Sequence, residues 1–205
     1  MIVKKMTKMT TMHWMTKELK ALQLKAQNDN IPILSNDGLL FLVETIKRKK
    51  ASSVLEIGTA TGFSAIAIAL LTGVTVTSIE RDEVRYLEAV NNVKAFGLED
   101  KITLILKDAL ELDIKETFDC LFIDAAKAQY EKFFNKFEPN VSKNGFIITD
   151  NLNFHNLDVN KVSRSTRHLI KRLTSFKAFL KDNQAFDTTF SDIGDGMSVS
   201  ERIQK

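Results

Sequence analysis

The segment Val54-Leu55-Glu56-Ile57-Gly58-Thr59-Ala60-Thr61-Gly62-Phe63-Ser64 runs directly into Ala65-Ile66-Ala67-Ile68-Ala69-Leu70. Its first four residues predict a short buried strand, residues 58–62 a tight turn, and residues 63–71 an apolar helix. Glycine lets the backbone turn sharply and approach a ligand, while the N–H groups that begin a helix offer donors and partial positive charge. A strand, a glycine loop and a helix in this order therefore predict a loop that holds a cofactor.

The spacing of the glycines separates two classes of cofactor. A dinucleotide-binding loop requires G-x-G-x-x-G, but Ala60 occupies the second glycine position here, which argues against NAD. The pattern Glu56-x-Gly58-x-x-x-Gly62, with Glu80 at the end of the next predicted strand, resembles the first two motifs of class I S-adenosylmethionine-dependent methyltransferases. The resemblance implies that the loop backbone holds the methionine end of the cofactor and that Glu80 binds the ribose. A plain packing turn is the alternative.

Length and composition indicate one soluble domain. The chain has 205 residues, of which 44% are hydrophobic and 27% charged, as in an ordinary globular protein. No apolar run approaches the roughly 20 residues of a membrane span, and residues 1–7 lack the apolar stretch of a secretory signal. We therefore expect a cytoplasmic protein without a membrane partner. The single cysteine, Cys120, is expected to be a buried structural thiol.

Predicted strands alternate with predicted helices along most of the chain. The last two strands are separated only by Ile193-Gly194-Asp195-Gly196, which is too short for a parallel crossover. The sequence predicts an α/β fold: a Rossmann-like, doubly wound seven-stranded sheet of the class I methyltransferase type, with helices on both faces and an antiparallel last strand at the edge. We expect a single domain over 1–205, with an N-terminal helical region (1–50) and a core (51–205). The strands are predicted at 54–57, 74–79, 102–106, 119–123, 145–149, 187–191 and 197–202.

Two of the predicted helices carry apolar faces expected to pack on the sheet. The helix at 82–96 ends at Gly97, and its inward residues are predicted to be Val84, Leu87, Val90 and Val93. The helix that follows the fourth strand carries four aromatic residues at i, i+3, i+4 and i+7, which indicates core packing rather than a base-stacking platform. These residues are Tyr130, Phe133, Phe134 and Phe137.

Basic charge is concentrated in residues 158–182, where a long helix is predicted over 160–180. The net charge of +3 is too small to indicate a nucleic-acid partner. The segment nevertheless holds seven basic residues and no acid except at its two ends, and on charge alone a solvated helix face is the simpler interpretation. The seven are Lys161, Arg164, Arg167, Lys171, Arg172, Lys177 and Lys181.

Polar residues follow the predicted parallel strands, at the edge where open α/β sheets bind ligands. Asp124 follows the fourth strand, and Asp150 and Asn151 follow the fifth. If these strands are neighbours, about 4.8 Å apart, the three side chains converge. Two carboxylates and an amide suit a hard cation, Mg²⁺ first and Mn²⁺ or Ca²⁺ next, although a simple turn also explains Asp150-Asn151. Lys127 lies three residues after Asp124 and is a candidate proton acceptor.

Three motifs make the resemblance more specific. Asp124-Ala125-Ala126-Lys127, Ile148-Thr149-Asp150-Asn151 and Ile193-Gly194-Asp195-Gly196-Met197 resemble the cation-dependent O-methyltransferases of the catechol and caffeoyl-CoA type. Within that family, segments 31–34, 88–92, 107–112 and 187–189 are similar to the bacterial enzymes that methylate 5-hydroxyuridine at the wobble position of tRNA. The chain departs from the family pattern at Asp192, where proline is frequent, and at 153–155.

The resemblance implies a role for each matched position. Asp124, Asp150 and Asn151 would hold the cation, which would stabilise the substrate oxyanion, and Asp124 and Lys127 would be the catalytic residues. Asp124 would also touch the cofactor. The other implied cofactor-binding residues are Leu34, Gly58 and Ser64 at the methionine end, Glu56 in the same motif, Glu80 at the ribose, and Asp108 with Ala109 at the adenine.

Three functions fit these observations. For a tRNA substrate, a basic helix would track phosphates while the wobble base of the anticodon loop enters the pocket. A catechol or caffeoyl-CoA-like substrate would leave that helix as plain surface, and a catalytically silent binding domain would not need the intact acidic and lysine set. The tRNA function is favoured, and the resemblance also implies a homodimer through the amino-terminal helices. The tRNA-contacting residues would be Arg164, Arg167, Lys171 and Arg172.

Overall fold

The computed structural model describes residues 14–153 and 162–204. Two compact units are present, Met1–Ile33 and Leu34–Lys205. Helix α2 belongs to the second unit, with the sheet, although the predicted N-terminal helical region (1–50) included it. The single domain over 1–205 stays a prediction. In the described ranges the helices are α1 (Lys17–Asn28), α2 (Asn36–Lys49), α3 (Phe63–Thr72), α4 (Glu83–Ala95), α5 (Tyr130–Phe137) and α6 (Arg164–Asp182). The strands are β1 (Ser53–Ile57), β2 (Thr75–Glu80), β3 (Ile102–Leu106), β4 (Phe118–Ile123), β5 (Val141–Thr149), β6 (Phe186–Ser191) and β7 (Met197–Arg202).

The seven strands form one sheet in the order β3-β2-β1-β4-β5-β7-β6. Strands β1 to β5 are mutually parallel, and β7 runs antiparallel to both of its neighbours. The predicted doubly wound sheet with an antiparallel last strand is confirmed. The reversed strand lies one place inside the edge rather than at it, because the first four residues of β7 are buried whereas those of β6 alternate with exposed positions.

The register of the parallel strands aligns their carboxyl ends. Ile57 pairs with both Ile79 and Ile123, and Ile123 pairs with Thr149. The residues that come next in the chain therefore emerge side by side at one edge of the sheet. Strand order reverses between β1 and β4, which is where such sheets form a ligand crevice. The residues that emerge there are Gly58, Glu80, Asp124 and Asp150.

Helices α5 and α6 cover one face of the sheet. The four aromatic residues of α5 are buried, as predicted, and they pack with Leu55, Ile57 and Ile123 of the sheet in one core cluster. The ring of Phe134 meets that of Phe179 edge-on at 5.3 Å between centroids. Alternate residues of β1, such as Val54 and Glu56, point to the opposite face, where α2 and α3 lie.

The predicted inward face of α4 is wrong at three of its four positions. Val84, Leu87 and Val90 are 74%, 53% and 36% exposed, while Val93 is buried. The helix instead turns its small residue Ala89 inward, and a Cβ added to Gly62 would lie 3.3 Å from the Ala89 Cβ. The close approach of the glycine loop to Ala89 thus decides the rotation of α4 about its axis. The hydrophobic pattern of the helix does not predict this contact.

The basic helix and the cysteine were also predicted. Helix α6 begins at Arg164 and continues to Asp182, so its predicted bounds shift toward the C-terminus; residues 160 and 161 lie outside the described ranges. Cys120 is fully buried, as predicted, and burial raises the pKa of its thiol far above the usual range. No helix within the described ranges is long and apolar enough to cross a membrane.

Candidate cofactor and cation site

The glycine loop after β1 packs directly against the end of β4. Gly58 has φ +103°, and a Cβ at this position would lie 2.1 Å from the carbonyl oxygen of Asp124. The Gly58 N–H donates to the Ile79 carbonyl at 3.0 Å. Only glycine tolerates this conformation and this contact. The loop and the acid at the end of β4 therefore form one structural unit.

Glu80 stands beside the loop as a fixed hydrogen-bond acceptor. Its Oε2 accepts from the Ala60 N–H at 2.8 Å, and its Oε1 accepts from the N–H groups of Arg81 and Asp82 at 2.9 Å. A carboxylate has about four acceptor sites, so Glu80 can still accept from the hydroxyls of a ribose. This geometry suits the predicted role.

Glu56 is a buried acid in the middle of β1. The Ser78 hydroxyl, its register partner on β2, donates to Oε2 at 2.5 Å, and Oε1 has no hydrogen-bond partner among the described residues. Burial raises the pKa of Glu56 to about 7, with the charges of Asp124 and Glu80 adding to it, although the hydroxyls of Ser64 and Ser78 favour the ionised form. An oxygen without a partner at this depth suits a ligand that carries positive charge.

The other predicted cofactor-binding residues line the same edge. Leu34 is buried just before the α2 N-cap, and Ser64 is buried in the first turn of α3. Asp108 caps the short turn Ala109–Glu111, because its Oδ1 accepts from the Leu110 N–H at 2.8 Å. Their contacts with a cofactor stay predictions.

The structure brings together all four residues predicted for the cation and the proton. The Asn151 amide nitrogen lies 3.2 Å from Asp124 Oδ1 and 2.9 Å from Asp150 Oδ2. Lys127 Nζ donates to Asn151 Oδ1 at 3.0 Å. Asn151 therefore lies between two carboxylates and a lysine, and its NH₂ group provides the partial positive charge that a cation would provide.

The electrostatics of this cluster favour a bound cation. Burial raises the pKa of Asp150 to about 7, and the charge of Asp124 adds to it. Burial also raises the pKa of Asp124 to about 6, although the hydrogen bond from Asn151 and the charge of Lys127 both act to lower it. Asp150 Oδ1 has no hydrogen-bond partner in the described part of the chain. A buried carboxylate beside a partly buried one, with an unpaired oxygen among the described residues, fits a hard dication.

Any cation here would be held by two carboxylates and an amide. Over residues 14–153 and 162–204, no three His, Cys, Asp or Glu side chains are arranged to hold a metal. Asp195 does lie near enough for its charge to raise the pKa of both Asp124 and Asp150. Asp195 lies in the motif Ile193-Gly194-Asp195-Gly196-Met197, from which no role for this residue was predicted.

Tyr130 is a further residue whose relation to the site was missed. It was predicted only as core, and it is buried. Its hydroxyl has no hydrogen-bond partner among the described residues. Burial, followed by the charges of Asp124 and Asp150, raises the pKa of Tyr130. Its position in an aromatic stripe gave no signal that its hydroxyl lies near the acids.

Helix α6 touches the site at two points. Arg172 Nη1 donates to the Ala128 carbonyl at 3.0 Å, which fixes it to the turn that carries Lys127. Lys177 Nζ donates to Asn153 Oδ1 at 2.5 Å. Arg164, Arg167 and Lys171 are exposed, and their contacts with tRNA stay predictions.

Replacing Glu56 with glutamine should change how the free energy of unfolding depends on pH. The pKa of Glu56 is raised from 4.5 to about 7, so its contribution is complete below about pH 4.5 and is lost as the pH rises through 7. Glu56→Gln removes this loss, worth on the order of a few kcal/mol. Urea unfolding without cofactor should favour the variant increasingly from pH 5 to about pH 7, and the difference should then stay constant up to pH 8. Exposed Glu99→Gln is the control, and parallel curves for Glu56→Gln and wild type would contradict the assignment.

Comparison with known proteins agrees with this geometry. A family model described as O-methyltransferase matches residues 6–203. The chain is 28% identical to the tapetum-specific methyltransferase 1 of Arabidopsis thaliana over 93% of this chain and 87% of that protein. It is 27% identical to a caffeoyl-CoA O-methyltransferase of Populus kitakamiensis over 80% and 75%. A Staphylococcus aureus crystal structure, named as a candidate caffeoyl-CoA O-methyltransferase, superposes with a TM-score of 0.87 at 31% identity over 93% and 94%.

Proposed function

Because the chain belongs to the O-methyltransferase family, we propose that it transfers a methyl group from S-adenosylmethionine to a hydroxyl oxygen with the help of a divalent cation. We further propose that the hydroxyl is that of 5-hydroxyuridine at the wobble position of tRNA, which would become 5-methoxyuridine. The cofactor is supported by the Gly58 loop and Glu80, and by a Bacillus cereus O-methyltransferase of the same fold that was crystallised with SAH.

Asp124, Asp150 and the amide oxygen of Asn151 are the groups that would hold the cation. Mg²⁺ is the first choice, because the donors are all oxygens and the two acids lie close together, each next to the Asn151 amide. When bound, S-adenosylmethionine supplies an electrophilic methyl group and the cation supplies a Lewis acid that favours an ionised hydroxyl. Mn²⁺ would fit the same donors.

The chain's own residues position the reactants and accept a proton. Gly58 packs on the backbone of Asp124, so the cofactor loop and the cation ligands keep a fixed separation. Lys127 Nζ lies 3.0 Å from Asn151 Oδ1, and in its neutral amine form it would accept the proton of the substrate hydroxyl and become an ammonium. Fixed separation of two reactants supplies much of the rate in transfer reactions of this kind.

The observation that carries the tRNA proposal is the position of the basic helix. The first turn of α6 contains no acid, and Arg164 and Arg167 are exposed there, where positive charge opposes the helix dipole. The same helix contacts the Lys127 turn through Arg172 and the segment after Asn151 through Lys177. A polyanion on this helix would therefore lie next to the reacting groups. A looped-out wobble base reaches such a pocket without breaking a duplex.

A small-molecule substrate is the second candidate. Relatives named as caffeoyl-CoA O-methyltransferases, one of them as a candidate, are 26–29% identical to this chain. A catechol or caffeoyl-CoA would use the same acids and lysine. We also propose that the protein forms a homodimer through its amino-terminal helices, because the family resemblance implies one.

Transfer of labelled methyl groups tests these alternatives directly. The acceptors are tRNA that carries 5-hydroxyuridine, the same tRNA with unmodified uridine, caffeoyl-CoA and a catechol, each with Mg²⁺ and with EDTA. We expect label only on the hydroxylated tRNA, and only with Mg²⁺. Label on caffeoyl-CoA or catechol alone would replace the tRNA proposal, and undiminished transfer in EDTA would overturn the cation proposal.

Replacing Arg164 and Arg167 together with alanine should weaken tRNA binding and make it less sensitive to salt. Each lost phosphate contact lowers the slope of log K against log salt by about 0.7 to 0.9, so the double variant should lose about 1.5. Filter binding at several salt concentrations measures this slope. The control is the double variant Lys47→Ala with Arg48→Ala. It removes the same charge from the last turn of α2, far along the helix from the end at which the candidate site lies. Equal slopes for both double variants would exclude a specific role for α6.

A further inference from the structure

Asn153 and Asp192, which lie at the two places where the chain departs from the family's sequence pattern, are hydrogen-bonded to each other in the structure. The Asn153 amide nitrogen donates to Asp192 Oδ1 at 2.8 Å, and Lys177 Nζ donates to Asn153 Oδ1 at 2.5 Å. These residues come from the segment after β5, the loop between β6 and β7, and the middle of α6. We refer to Lys177, Asn153 and Asp192 as the clamp.

The clamp is reinforced by the backbone around it. The Leu152 N–H donates to the Gly196 carbonyl at 2.9 Å, and the Asn153 N–H donates to the Asp195 carbonyl at 2.8 Å. A Cβ on Gly196 would lie 2.4 Å from Asn153 Cγ, so the Asn153 side chain fills the space that this glycine leaves. The segment after the cation ligands is therefore held by both its main chain and the Asn153 side chain.

Such restraint matters because Asn151 has an uncommon backbone conformation. Its φ is +61°, a left-handed value that asparagine adopts more readily than other non-glycine residues but less readily than the right-handed region. The amide of Asn151 must keep this conformation to lie between Asp124 and Asp150. The clamp begins two residues later, at Asn153.

Lys177 is the member of the clamp that ties it to a helix. Its ammonium is partly desolvated, which lowers its pKa, while the charge of Asp192 acts in the opposite direction. The backbone of α6 is anchored in the core by Leu173, Phe176 and Leu180. The hydrogen bond from Lys177 therefore restrains the segment around Asn153, which has no regular secondary structure, against a helix that is packed in the core.

We propose that Lys177 is a positioning residue for the cation ligands Asp150 and Asn151 and acts through Asn153. The inference rests on the proposed cation site and extends it, because no sequence motif assigns a role to Lys177. Loss of the Lys177 donor leaves the Asn153 oxygen without this partner and removes the contact that ties the segment after Asn151 to α6, while its bonds to the β6–β7 loop remain. The ligand geometry then loosens, and the affinity for the cation falls.

Binding of Mn²⁺ to the purified full-length chain, followed by electron paramagnetic resonance, tests the inference without reference to catalysis. Lys177→Met should weaken Mn²⁺ binding by about tenfold, the lower end of the effect of residues that orient metal ligands. Lys177→Arg keeps a charged donor and should restore most of the affinity. Lys181→Met removes the same charge one turn later, where the lysine lies over Phe190, and should leave the affinity unchanged.

Four outcomes of these binding measurements would contradict the proposed role of Lys177. Equal Mn²⁺ affinity in Lys177→Met and wild type overturns the inference, as does an equal loss in Lys181→Met, which would indicate a general charge effect. If wild type itself binds no Mn²⁺, the proposed cation site fails and the inference fails with it. If circular dichroism shows that Lys177→Met is unfolded, Asp192→Ala tests the clamp from the opposite side. Unchanged affinity in that variant overturns the inference.

Discussion

Replacing Asp150 with asparagine should reduce methyl transfer by about 10³-fold or more while leaving the protein at least as stable as wild type. A metal ion that stabilises developing charge is worth several kcal/mol, and about 4 kcal/mol corresponds to three decades in rate. Asp150 is 2% exposed, and one of its oxygens has no partner among the described residues. In the described part of the chain, the one side-chain hydrogen bond that this carboxylate accepts, from the Asn151 amide at 2.9 Å, can be accepted equally by the amide oxygen of asparagine.

The stability of the variant follows from the same geometry. Burial and the neighbouring Asp124 raise the pKa of Asp150 to about 7, so an ionised Asp150 is unfavourable in the folded state without a cation. Asparagine has the same shape and no charge, and in EDTA the Tm of Asp150→Asn should equal or exceed that of wild type. Calorimetry and a labelled-methyl assay measure the two effects. Exposed Asp113→Asn is the control, and a variant that is fully active, with or without EDTA, would disprove the cation site.

Replacing Gly58 with alanine should destabilise the protein by more than about 4 kcal/mol and abolish binding of S-adenosylmethionine. The added Cβ would lie 2.1 Å from the Asp124 carbonyl oxygen, a backbone atom that cannot move without displacing the end of β4. The φ of +103° adds strain of its own. Both the cofactor loop and the first cation ligand would therefore be displaced.

Gly73→Ala is the matched control for this substitution. Gly73 also has a positive φ, +77°, but a Cβ there meets nothing within 4 Å. It should cost only about 1 to 2 kcal/mol, the penalty for an alanine in the left-handed region. Urea unfolding compares the two free energies, and calorimetric titration measures cofactor binding. Similar losses in both variants would mean that the contact with Asp124 is not the cause.

Local sequence was enough to predict the strand ends and the acids that follow them. Ile57, Ile79 and Ile123 each end a predicted strand, and the residue that follows each of them lies in the candidate site: Gly58, Glu80 and Asp124. The same local pattern failed for α4, because contact between Gly62 and Ala89 sets its rotation. It also placed the strand reversal at the edge, since the hydrophobicity of β6 and β7 does not state which of them pairs with β5.

The sequence by itself determined the fold class, and it predicted the cofactor loop, the candidate cation ligands and the lysine that the structure brings together. These depend on features close together in the chain: strand periodicity, glycine spacing, and the residue that follows each strand. Only the tertiary structure decided the contact of Gly58 with Asp124, the proximity of Tyr130 to the acids, and the clamp of Lys177, Asn153 and Asp192. Members of the clamp lie 24 and 39 residues apart along the chain. Their hydrogen bonds exist because packing of α6 and pairing of β7 with β5 bring distant segments within 3 Å, and no local pattern encodes that distance.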